Sequence, residues 1–182
     1  YSMNLLIITQ RVDQEYTNLA NHIRWIEVFS TLAEEVSVIA QSVGEHHLPS
    51  NVHVFSLGKE GGTLRPFQLI RFYRVLWQAV SRADSILVLM VPLYVVLTAP
   101  LAWIFHKKIF LWFTHKRVSW ILKIAERCVT KIFSASLESF RLPSKKLLVT
   151  GHAIDTDFFS PDPMVPRLPG KIVTVGRITP SK

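Results

Sequence analysis

Short runs of Ile, Val and Leu alternate along this chain with stretches whose apolar residues recur at helical spacing. Asn4–Thr9 (NLLIIT), Glu35–Ala40 (EVSVIA), Val52–Leu57, Ser85–Met90, Ile109–Phe113, Lys131–Ser134 and Lys146–Thr150 fit strands. Between them lie Gln14–Glu35, with apolar positions Leu19, Ile23, Ile26, Phe29 or Ser30, and Ala33, then Pro66–Ala83, Leu93–Phe105, Val118–Val129 and a short Ser136–Phe140 segment. Such continuous apolar runs belong to strands covered on both sides. The alternation predicts an α/β fold: a Rossmann-like open, mostly parallel sheet with helices on both faces. Ligands of such sheets gather at the carboxyl ends of the strands. That directs attention to four loops, Gln10–Asp13, Gly58–Gly62, Val91–Tyr94 and Thr114–Arg117.

Ser85–Phe105 is 21 residues without a charge, long enough to suggest a membrane span. Pro92 and Pro100 interrupt it, and Lys107-Lys108 closes it before another apolar run. Strand, helix and strand inside an α/β core account for the whole segment. With 49% hydrophobic and 19% charged residues, the chain is neither a disordered chain nor a coiled coil. One cysteine, Cys128, forms no internal disulfide or cysteine metal cluster and fits a reducing compartment. Met3 looks like a natural start, and Asn4–Thr9 is too short for the apolar core of a signal peptide. The expected location is cytoplasmic, or peripheral at the inner face of the membrane. The net charge of +8 suggests a polyanionic partner: nucleic acid, an anionic membrane surface or a phosphorylated ligand.

Ser160–Gly170 holds four of the ten prolines, and Ile172–Val175 then starts a fresh apolar run. The expected organisation is an N-terminal domain over 1–159, a linker over 160–170, and the first strand and loop of a second domain over 171–182.

His115, in Thr114-His115-Lys116-Arg117, projects from the ligand edge. It can donate to a phosphate or sugar hydroxyl, or it is a surface His that caps the next helix. Asp13, with Gln10 and Arg11 after the first strand, can bind sugar hydroxyls, or it serves as the N-cap of the following helix. His46-His47 has no third metal ligand at useful spacing and is placed in a solvated loop away from the active edge. Pro66–Ala83 is assigned an apolar side of Phe67, Ile70, Val75 or Leu76, and Ala79. Arg65, Arg71, Arg74 and Arg82 fall on its other side. Those arginines suit a membrane surface or simply a solvated face, and the interleaved Phe72, Tyr73 and Trp77 are expected to pack inward for the most part. No GxGxxG follows the first strand, and no P-loop or GxSxG elbow is present.

Four segments carry a family resemblance. GHAIDTDFFSP resembles the turn that ends the N-terminal domain of family 4 glycosyltransferases of the GT-B fold. VTVGRITPSK resembles the motif that opens their donor domain, LWFTHKRVSW the segment with their active-site His, and TQRVD a first-strand loop of a bacterial branch. Ala153 stands where that family usually has Gly, and the Gly-Gly pair common after the first strand is missing. The resemblance implies a retaining transfer of a sugar from a nucleotide diphosphate sugar to a sugar or lipid-linked acceptor, with no cofactor and no metal. It implies that His115 contacts the transferred sugar. It pairs Arg177 and Lys182 with the donor diphosphate, and it places Gln10, Asp13 and Lys116 on the acceptor side. The family's paired Glu donor motif is expected beyond Lys182, so residues 1–182 alone should have little or no transferase activity. Two alternatives stand beside this: a basic Rossmann-like module for nucleic acid or anionic membrane, and an epimerase of the same GT-B architecture. Under the transferase reading, nucleic acid is disfavoured as a partner.

Overall fold

A computed structural model of the chain describes residues 3–15 and 20–152, with isolated positions 156, 160, 161, 164, 170 and 172 beyond them. The chain divides into two units, residues 1–152 and 153–182. In the first unit the elements run β1 (Asn4–Val12), α1 (Ala20–Leu32), β2 (Glu35–Val43), β3 (Val52–Ser56), α2 (Arg65–Arg82), β4 (Ser85–Leu89), α3 (Pro92–Ile104), β5 (Lys108–Trp112), α4 (Trp120–Cys128), β6 (Lys131–Ser134) and β7 (Leu147–Val149).

The seven strands form one sheet in the order β3-β2-β1-β4-β5-β6-β7, and every neighbouring pair is parallel. Alternation along the strands splits the core in two. Leu6 and Ile8 of β1, with Ile86 and Val88 of β4, pack under Phe72, Leu76 and Val80 of α2, Val95 of α3 and Leu122 of α4. Leu5, Ile7, Leu87 and Leu89 point the other way, to Ile23 and Ile26 of α1. The segment 85–112 therefore folds as strand, helix and strand. Among the described residues no helix is long and apolar enough to cross a membrane.

Local chemistry sets several boundaries. Pro66 and Pro92 occupy the first turns of α2 and α3, where a missing N–H costs nothing. Ser119 caps α4 by accepting the N–H of Leu122 at 3.2 Å. The connection from β2 to β3 carries no helix. Its last residue, Asn51, closes the end of α1 instead, donating its side-chain amide to the carbonyls of Ser30, Ala33 and Glu34 at 2.8, 3.3 and 3.3 Å.

Three expectations need correction. β1 does not end at Thr9: it runs to Val12, because Arg11 and Val12 continue the ladder opposite Ser42 and Val43 of β2. Residues 136–140 make a single turn closed by Ser136 and Ser139, too short to propagate as a helix. The inward face of α2 is Phe72, Leu76, Ala79 and Val80, while Phe67 and Ile70 are exposed. Apolar residues at helical spacing lie on two opposite sides of this helix, and the sheet covers only one.

Candidate functional site

Strand order reverses at β1: the chain builds β2 and β3 to one side, then β4 to β7 to the other. This switch point is where the carboxyl edge of a parallel sheet opens into a crevice. The registers show how it opens here. β1 pairs with β4 only as far as Ile8↔Val88, but with β2 as far as Val12↔Val43. Residues 9–12 of β1 thus extend past its ladder with β4, and Gln10 is exposed there.

Asp13 closes the end of β1. It is buried, and its carboxylate accepts from the Arg11 guanidinium at 2.6 and 2.9 Å and from the N–H of Glu15 at 3.0 Å. These bonds hold its own loop; among the described residues α1 starts only at Ala20. Gly44 lies directly against it: a Cβ there would come within 2.4 Å of the carboxylate. Two backbone bonds complete the joint, from Gly44 N–H to the Val12 carbonyl and from Gln14 N–H to the Glu45 carbonyl. His46 and His47 belong to this same carboxyl edge, with His47 Nδ1 at 3.1 Å from the Gln14 side-chain oxygen, so the expectation that their loop lies away from it is corrected. Among the described residues no three His, Cys, Asp or Glu side chains gather where a metal ion could be held.

Beneath the same strand end, Thr9 Oγ1 lies 2.8 Å from Nδ1 of His22 on α1, both buried. Burial lowers the His22 pKa from 6.5 to about 4, so the ring is neutral near pH 7. Sequence spacing gave no sign of this pair, because its members sit on different elements.

The β5 loop is placed two strands away, about 10 Å along the sheet edge. His115, Lys116 and Arg117 are all exposed. His115 Nδ1 accepts the N–H of Arg117 at 3.0 Å, so in the neutral ring the proton resides on Nε2. Between the two loops stands Met90, at the end of β4. Its backbone has φ 63°, rare for a side chain of this kind. Its sulfur accepts the N–H and the hydroxyl of Thr114 at 3.3 and 3.4 Å, which ties the β4 and β5 ends together. Lys116 also faces Glu138 beyond β6. The Glu138 carboxyl is held below its usual pKa by its own backbone N–H, then by Ser136 and by the Lys116 charge.

The β3 loop turns at Gly58, whose φ of 86° and contact with Thr63 leave no room for a side chain. Glu60 follows. Partial burial opposes its ionisation, but bonds from Ser56 and from backbone N–H groups, with the Arg71 charge, keep its pKa below the usual value. Tyr94, at the start of α3, is pushed up by burial, against a bond with Gln41. Gln10, at the end of β1, and Asp13, His115 and Lys116, in two separate loops, are therefore all on one edge. Arg177 and Lys182 lie outside the described residues.

No protein-family model matches the sequence, and no curated protein does. Solved structures do. HepE of Anabaena, in complex with UDP, superposes with a TM-score of 0.63 at 16% identity, over 88% of this chain and 47% of that one. MurG of Acinetobacter baumannii superposes at 0.56 with 9% identity, over 84% of this chain and 47% of that one. The fold is that of a GT-B half. The UDP-GlcNAc 2-epimerase of Methanocaldococcus jannaschii shares it, at a TM-score of 0.53 and 13% identity over 81% of this chain and 45% of that one. The chain spans about half the length of these solved structures, and at such identities the likeness to GT-B proteins is one of fold.

Proposed function

We propose that the chain forms the acceptor-side half of a family 4 glycosyltransferase, which moves a sugar with retention from a nucleotide diphosphate sugar to a sugar or lipid-linked acceptor. The observation that carries this reading is the exposed His115 loop on the carboxyl edge of a GT-B half-domain, beside the crevice at the end of β1. In this account the Nε2–H of His115 donates to the sugar in transfer. Gln10 and Lys116 meet the acceptor from the two sides of the crevice, and Asp13 fixes the loop that follows the strand carrying Gln10. Residues from 171 onward begin the donor half, where Arg177 and Lys182 hold the diphosphate. As the nucleotide diphosphate leaves, it gains negative charge, and two fixed cations lower that barrier without a metal. The enzyme would act in the cytoplasm. HepE, solved with UDP and with UDP-glucose, supports a uridine nucleotide as the donor carrier.

The test is turnover of a panel of nucleotide sugars by the full-length protein. His115→Ala and Arg177→Ala should each remove most of the rate. Unchanged turnover in both variants would overturn the site assignment. The epimerase likeness supports a second reading, which predicts interconversion of free nucleotide sugars with no acceptor present.

A further inference from the structure

The helix α2 is made like a structural helix on one side only. At 3.6 residues per turn, Phe67, Ile70, Arg74 and Trp77 stand within one arc of about 80°, on the side turned away from the core residues Phe72 and Leu76. Phe67 is 61% exposed, Ile70 64% and Trp77 56%. Arg71 and Arg82 lie within about 60° of this stripe, whereas Arg65 lies on the side of Phe72, and the helix contains no acidic residue. Arg65, Arg74 and Arg82 make no ion pair among the described residues.

Helix stability does not explain this composition. The macrodipole favours acids in the first turn and bases in the last, so Arg82 suits it and Arg65 opposes it. The N-cap is Leu64, which caps nothing with its side chain and is itself exposed. Large apolar side chains interleaved with arginine on an outward helix face suit an interface that is apolar below and anionic above. The ring contact of Trp77 with Phe105, at 5.3 Å, extends the apolar surface to the end of α3.

We propose that the outer face of α2 is a docking surface for an anionic lipid bilayer. Phe67, Ile70 and Trp77 enter the headgroup region, and Arg71 and Arg74 pair with lipid phosphates. Charge complementarity selects this occupant: a helix with four arginines and no acid, in a chain of net charge +8, repels a second copy of itself. α2 begins where β3 ends, at the carboxyl edge of the sheet, so docking brings its first turns and the crevice edge to the same surface. A lipid-borne acceptor would then meet the crevice without leaving the bilayer.

Vesicle binding by the full-length protein tests this without any turnover assay, so its outcome is separate from that of the transfer reading. Vesicles of phosphatidylcholine with phosphatidylglycerol should bind the protein, and vesicles of phosphatidylcholine alone should bind it far more weakly. The pair Arg71→Gln and Arg74→Gln should lower binding about thirtyfold. Phe67→Ser with Ile70→Ser should lower it about tenfold or more and leave the circular dichroism melt unchanged, because both side chains are exposed. Equal binding to both vesicle types, no binding at low salt, or binding that survives both pairs of substitutions would overturn the proposal. So would self-association in solution that Phe67→Ser abolishes.

Discussion

The loop after β1 and the loop after β5 leave the same edge of the same sheet, and they are built in opposite ways. The first is closed upon itself. Asp13 is buried against Gly44, its carboxylate spent on Arg11 and on the N–H of Glu15, with the His22–Thr9 pair sealed beneath it. The second is open: His115, Lys116 and Arg117 are exposed, with Thr114 held by the Met90 sulfur and the Arg117 N–H bonded to His115 Nδ1. One edge therefore divides its labour. The β1 loop is held by bonds within itself, and the β5 loop leaves its imidazole and cationic side chains exposed. A substitution in the first should be felt in folding and one in the second in chemistry.

The sharpest test of this contrast is acid. Because His22 has a folded pKa near 4 against an ordinary 6.5, the unfolded chain binds its proton first. Its contribution is complete above about pH 6.5, shrinks as the pH falls through that window, and is gone below about pH 4. The loss is on the order of 3 kcal/mol, and denaturant melts across this range should show it. His22→Asn should flatten the slope in the same window; a slope unaltered by the substitution would place the acid sensitivity elsewhere. Next in size is Asp13→Ala. It leaves the Arg11 guanidinium and the Glu15 N–H without this acceptor and should cost about 2 kcal/mol in urea unfolding. The smallest effect is expected of His115→Ala, within about 0.5 kcal/mol of the parent. If it unfolds as easily as Asp13→Ala, the two loops are not different in kind.

Much of this architecture was legible in the sequence, since buried parallel strands announce themselves as apolar runs and all seven appear where such runs fall. Their ends were harder. Gln10 and Arg11 look like a loop because they are polar, but the β2 ladder continues past them. Both sides of α2 carry apolar residues, so periodicity alone chose Phe67 and Ile70 where packing chose Phe72 and Leu76. The position of His115 after β5 could be seen in advance because it depends only on strand order. The link between Met90 and Thr114 could not, because it rests on a backbone turn at positive φ between elements far apart in the chain.

Asn51 has a further consequence. β3 is an edge strand with no crossover helix of its own, and the residue just before it grips three carbonyls at the end of α1. When β3 peels from the sheet it takes that grip with it, and when α1 frays it frees Asn51. The two elements are thus welded into one cooperative unit. In amide exchange the last turn of α1 should open together with β3, below the protection of the central strands β1 and β4.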